Sequence, residues 1–254
     1  MSTKTRDKKT GAKSAKNGDA LRVAEESFLA GRFEDAERQA RALITADPRA
    51  EAAWCVFALA VQRQGRARDT GEILQDAIAN NPRSADLYAL MATMLRDSGR
   101  KADAETAARY ALELEPGQRD AALLLGNFLA EQGRLNQAKA EFAAGAKRAP
   151  KDPAFPLQLG RVALLLGQID DAHGAFENAA ALSRKALDDG GHSVHTDIYL
   201  NAITHLATLL HQRGDRVRAL NYLDEAIRLR DSLEARMLFA ECVRGVTFVK
   251  AFPP

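Results

Sequence analysis

Residues 119–152 read RDAALLLGNFLAEQGRLNQAKAEFAAGAKRAPKD. Two apolar-periodic runs are separated by Gly133 and closed by Pro150. A glycine ends a helix cheaply because it tolerates a left-handed backbone, and a proline cannot easily continue one. The stretch therefore reads as a helix, a turn and a second helix. Both punctuation marks recur. Gly31, Gly65, Gly99, Gly133 and Gly167 follow one another at 34-residue intervals, as do Pro48, Pro82, Pro116 and Pro150. Ala36, Thr70, Ala104, Ala138 and Ala172 keep the same interval. Three residue types on one period define a structural repeat, not a composition bias.

The repeats run at about 17–50, 51–84, 85–118, 119–152 and 153–186. The second carries Trp54, Phe57, Ala58, Val61, Gly65, Leu74, Ala77 and Pro82. The fourth carries Leu125, Gly126, Leu129, Gly133, Ala138, Phe142 and Pro150. This pattern resembles the tetratricopeptide repeat family, whose unit is two antiparallel helices. The resemblance implies an all-α superhelical solenoid of about six helix-turn-helix repeats with a C-terminal capping helix.

A sixth repeat arrives late. Gly214 follows Gly167, and Ala219 follows Ala172, by 47 residues, one period plus thirteen. The excess falls near 184–197. There the sequence predicts a fifth-repeat B helix running on to about Asp189 and then a Gly-Gly loop holding His192 and His195. Beyond repeat six, Ala235, Leu238, Phe239, Cys242, Val243 and Val246 follow helical spacing and predict a cap. The expected organisation is a basic disordered tail over 1–17, a solenoid over 18–231, and a capping helix and tail over 232–254.

Net charge is +2, but the first seventeen residues hold Lys4, Arg6, Lys8, Lys9, Lys13 and Lys16 against Asp7 alone, which leaves the remainder at −3. A basic tail can hold nucleic acid or an acidic surface by counterion release, or serve as a solubilising leader. Without aromatic residues it argues against a nucleic-acid partner. No apolar run is long enough to span a bilayer, and the N-terminus lacks the apolar core of a signal peptide. Cys55 and Cys242 match no metal or disulfide framework and read as small buried hydrophobes. A cytoplasmic location with no membrane partner is the expectation.

No phosphate-cradling glycine loop, zinc motif or nucleophile elbow occurs, so the expectation is a non-enzymatic chain with no catalytic residue, cofactor or metal. His192, His195, His205 and His211 read as polar surface and not as ligands. What remains is the face that the family resemblance assigns to binding, the inner groove lined by the first helix of each repeat. The peptide-binding candidates there are Leu59, Gln62, Thr93, Arg96, Leu123, Asn127, Gln158, Arg161, His205 and Thr208. Arg96, Asn127 and Arg161 would hold a peptide's backbone or carboxylates, and Leu59 and Leu123 its apolar side chains. Leu124 and Leu157 read as core. The family's carboxylate clamp needs a set of lysines with asparagines, and only Asn127 is present. An asparagine ladder would need more than Asn127 and Asn201.

The first reading is thus a protein–protein interaction scaffold holding a segment of another protein. The second is the substrate-recognition domain of a larger enzyme. The tract from Leu238 to Phe248 is similar to the junction that follows such arrays in certain bacterial multidomain proteins carrying a methyltransferase or glycosyltransferase. On that reading the catalytic part lies outside this chain.

Overall fold

The structure, a computed structural model, describes residues 18–190, 193–230 and 232–244. The basic tail, Val246 and the rest of 245–254, and His192 lie outside them. All regular structure among the described residues is helical. Helix α1 covers 18–29 and is followed by α2 (Phe33–Ala46), α3 (Glu51–Arg63), α4 (Ala67–Asn80), α5 (Ala85–Asp97) and α6 (Lys101–Leu114). Then come α7 (Arg119–Glu131), α8 (Leu135–Arg148), α9 (Ala154–Leu165), α10 (Ile169–Asp188), α11 (Ser193–Gln212), α12 (Arg216–Leu229) and α13 (Leu233–Arg244). Odd-numbered helices open the repeats and even-numbered ones close them.

The chain divides into two units, Met1–Leu124 and Leu125–Pro254, with the boundary inside α7. In the first unit α3 contacts α2, α4 and α5, and α5 contacts α4 and α6. In the second, α9 contacts α8, α10 and α11, while α11 contacts α10, α12 and α13. Within the units, opening helices of successive repeats also lie side by side, α3 with α5 in the first and α9 with α11 and α11 with α13 in the second.

The turn inside each repeat is set by its glycine. Gly133 takes φ +74°, a left-handed backbone that an L side chain rarely adopts. This bends the chain so that Gly133 N–H donates to Ala130 O at 3.0 Å and Arg134 N–H to Leu129 O at 2.8 Å. Carbonyls that the helix end would orphan are thereby satisfied. The closing helices α2, α4, α6 and α8 end two residues before Pro48, Pro82, Pro116 and Pro150. Helix α5 is launched by a side-chain cap. Ser84 Oγ accepts from Leu87 N–H at 3.1 Å and donates to Glu51 Oε1 at 2.5 Å, tying one repeat's start to the one before it.

Two facing positions inside each hairpin, sixteen residues apart, are matched in size. The pairs are Ala24 with Ala40, Ala58 with Leu74, Ala92 with Ala108, and Ala207 with Leu223, every one fully buried. Where the second member is phenylalanine, Phe142 or Phe176, the first is Gly126 or Gly160. The ring occupies the place where a Cβ would stand: a Cβ on Gly160 would lie 2.6 Å from Phe176 Cε1. The glycines at these two sites make room for a ring and play no part in turning the chain.

The thirteen extra residues are wholly helical. Helices α10 and α11 have 20 residues each, against 14 in α4, α6 and α8 and 13 in α3, α5 and α7. The link between them remains four residues, 189–192. The sequence expectation of a long α10 agrees, since it ends at Asp188 with Gly190 in the left-handed region. The expected loop position of His195 is corrected: it lies on α11, which begins at Ser193. Burial of Ile198 and Tyr199 against the lengthened α10 carries that helix back to Ser193, overriding the loop signal of Gly190-Gly191. The added turns are pinned to the rest of the unit. Arg184 lies 4.6 Å over the Tyr199 ring, donates to Tyr199 Oη at 2.6 Å, and pairs with Glu225 of α12. Arg230 pairs with Asp197 at 2.5 Å.

Candidate functional site

In the first unit, α3 and α5 place Leu59, Gln62, Thr93 and Arg96 on neighbouring helices. Leu59, Gln62 and Thr93 are half-buried, as is Leu123 on α7. Thr93 Oγ1 donates to Ala89 O at 3.1 Å, so its proton is used inside its own helix. Arg96 is exposed, yet its Nε and Nη2 donate to Asp97 Oδ1 at 2.9 and 2.8 Å. Its charge is matched by the adjacent residue, which spacing along a helix did not anticipate.

Cys55 sits on the same helix as Leu59. Burial first, and then the carboxylates of Asp86 and Glu51, push its thiol up to about 12. A thiol is reactive as thiolate. Cys55 in the folded chain is therefore expected to alkylate with iodoacetamide at pH 8 at least tenfold more slowly than in urea. Equal rates, read by mass spectrometry, would contradict the packing around it.

In the second unit, Asn127 is half-buried on α7, Gln158 and Arg161 stand on α9, and His205 and Thr208 on α11. Thr208 Oγ1, like Thr93, donates back one turn, to Thr204 O at 3.0 Å. Because α9 and α11 lie side by side, Arg161 and His205 share one face. The His205 ring stacks on Phe176 with centroids 4.6 Å apart and planes at 13°. Burial first, and then the Arg161 charge, lower its pKa from 6.5 to about 4, with Glu234 of α13 acting in the opposite sense. His205 is therefore neutral near pH 7. Arg161 is exposed. Its nearest polar contact is Gln158 Oε1 at 3.5 Å, and among the described residues no carboxylate lies within ion-pair distance of it. Leu124 and Leu157 are buried, as core residues should be.

Sequence reading missed Glu234. The usable signal was that α13 follows repeat six as an opening helix would, so its first turn continues the face. Of the other histidines, His211 is buried on α11 and His173 stands on α10. Among the described residues no group of three His, Cys, Asp or Glu side chains could hold a metal ion. No helix there is long and apolar enough to cross a membrane. Of the tract Leu238–Phe248, residues up to Arg244 complete α13 and the others lie outside the described residues.

Stacked helical hairpins on a 34-residue period, punctuated by left-handed glycines, define an all-α repeat protein. A tetratricopeptide repeat model matches residues 95–155. No curated protein sequence matches this chain. Among solved structures it is similar to a chain of the APC/C hetero-tetramer Cut9–Hcn1, with TM-score 0.71 and 16% identity over 89% of this chain. It spans 43% of that chain's length. It is similar to PilF of Pseudomonas aeruginosa, with TM-score 0.71 and 19% identity, covering 91% of this chain and 99% of that one. PilW, a type IV pilus biogenesis factor, gives TM-score 0.68 and 19% identity over 87% of this chain and 97% of its own. These are likenesses of fold. The family match is confined to residues 95–155, and the likeness of fold extends over most of the chain.

Proposed function

We propose that this chain is a non-enzymatic interaction scaffold that holds a peptide segment of a partner protein against the opening helices of its repeats. The observation that carries the reading is Arg161. An exposed guanidinium without a carboxylate partner among the described residues stands beside half-buried Gln158, His205 and Thr208 on adjacent helices. Surface arginines elsewhere in this chain are mostly tied to Asp or Glu, as Arg66 is to Glu37 and Asp69. A guanidinium left uncommitted on a rigid face suits recognition of a carboxylate or backbone carbonyl. The helices hold the face in place beforehand, which lowers the ordering cost of binding. The proteins to which the fold is similar include members of multi-protein assemblies, such as the APC/C hetero-tetramer.

The test is selection of displayed peptides on the full chain, repeated on two variants. Arg161→Ala with Asn127→Ala alters the second unit, and Arg96→Ala with Leu59→Ala the first. Peptides that bind the native chain and lose at least tenfold in affinity with either variant support the reading and say which unit binds. A peptide set indifferent to both variants overturns it.

A further inference from the structure

Two threonines of α11 spend their hydroxyl protons inside their own helix. Thr204 Oγ1 donates to Leu200 O at 2.8 Å and Thr208 Oγ1 to Thr204 O at 3.0 Å, each one turn back. A hydroxyl has one proton and two lone pairs, so what these half-buried side chains still offer is an oxygen that accepts. The two stand four residues apart on one face of α11, about 6 Å along its axis. Helix α9, packed beside α11, offers the opposite. Arg161 has only donors, and among the described residues no carboxylate lies within ion-pair distance of it. Arg161 and Thr208 each precede the turn glycine of their repeat, Gly167 and Gly214, by six residues, so they stand level on the two helices. One turn beyond Arg161, on the same face of α9, Leu165 is 45% exposed.

We infer that the face formed by α9 and α11 takes an extended segment whose backbone N–H groups bond the Thr204 and Thr208 oxygens, with an acidic side chain on Arg161 and a large apolar one, two residues away, on Leu165. This rests on the binding reading above and gives its ligand a conformation and a chemical class. An extended chain advances about 3.3 Å per residue, so groups that point the same way recur about every 6.6 Å. That matches the step of about 6 Å from Thr204 to Thr208 and again from Arg161 to Leu165. In an extended chain the N–H groups stand at right angles to the side chains. A segment over the seam of the two helices therefore turns one set toward α11 and the other toward α9. A helical segment has its N–H groups bonded internally and has none to give the threonines. A single exposed ion pair contributes little, so discrimination comes from satisfying the charge, the apolar contact and the backbone together.

The experiment uses the full chain and capped, fluorescent peptides of Ser and Gln with Asp-Ser-Leu or Leu-Ser-Asp at the centre, read by anisotropy at low salt. Both orders are used because the spacing is the same whichever way the segment runs. In the controls Asn replaces Asp, Leu stands next to Asp, or the central backbone nitrogens are methylated. The better-bound order is expected to bind about tenfold more tightly than each of its controls. Arg161→Gln is expected to erase the preference for Asp over Asn. Thr204→Val with Thr208→Val keeps the shape and removes the oxygens. It is expected to weaken the parent peptide about tenfold and leave the methylated peptide unchanged, with circular dichroism unaltered. Failure of both orders to bind, equal binding of the spaced and adjacent peptides, or an affinity that the valine pair does not alter overturns this inference. The binding reading then still stands if displayed peptides need Arg161 and Asn127. A displayed set indifferent to both variants of the earlier test overturns that reading as well.

Discussion

Gly126→Ala is expected to lower the stability of the second unit by about 2 kcal/mol, although alanine is the better helix former by about 1 kcal/mol. The reason is geometric. A Cβ on Gly126 would stand 2.5 Å from Phe142 Cζ, and Phe142 is fully buried, so its ring has nowhere to retreat. Phe142→Leu alone leaves a gap and costs roughly 1–2 kcal/mol. The double variant recreates the combination found in Ala58 with Leu74 and in Ala207 with Leu223, both fully buried. Its loss should therefore be smaller than the sum of the singles by at least about 1 kcal/mol. Urea denaturation of the four proteins measures this coupling, and strictly additive losses would refute the size match.

Acid should weaken the native chain more than a His205→Gln variant. The folded protein keeps His205 neutral down to about pH 4, whereas the unfolded chain takes up that proton near 6.5. Between these values the unfolded state binds more protons, so stability rises with pH through the window and is lost as pH falls. The cause is burial against Phe176 and then the charge of Arg161, partly opposed by Glu234. A shift of this size corresponds to about 2–3 kcal/mol lost on going from pH 7 to pH 4. The variant lacks a titrating group there and should lose that much less over the same interval. Urea midpoints taken across the range, with parallel curves for the two proteins, would show that His205 is not held neutral.

The period was legible because its signals are local. Gly133 needs a left-handed backbone and Pro150 ends a helix whatever surrounds them, so they mark the hairpins in the sequence itself. The lengthened hairpin was legible only on its first arm. Gly190-Gly191 announces a loop, but the contacts that make residues 193–199 helical come from α10, and Arg184 with Tyr199 and Glu225 obeys no repeat spacing. The candidate face was legible as a set of positions, not as chemistry. Arg96 and Arg161 read alike in the sequence, yet one is paired with Asp97, while among the described residues no carboxylate lies within ion-pair distance of the other. Side-chain geometry decides that, and a pattern of positions does not contain it.

The two matched arms of α10 and α11 bear on how the chain reaches its fold. Isolated helices shorter than about 12–15 residues are marginal in water, and most helices of this chain fall in that range. The 20-residue arms do not, and a four-residue link brings them together at little loop-closure cost. In an array whose units touch only their neighbours, folding starts wherever a unit first becomes self-sufficient. The barrier to folding is expected to be crossed at this hairpin. Substitutions such as Ile203→Val and Leu206→Ala, both in its fully buried core, should then slow folding, while equivalent changes at Leu74 or Leu87 chiefly speed unfolding. Fractional transition-state values that are no higher at Ile203 and Leu206 than at Leu74 would place the starting point elsewhere.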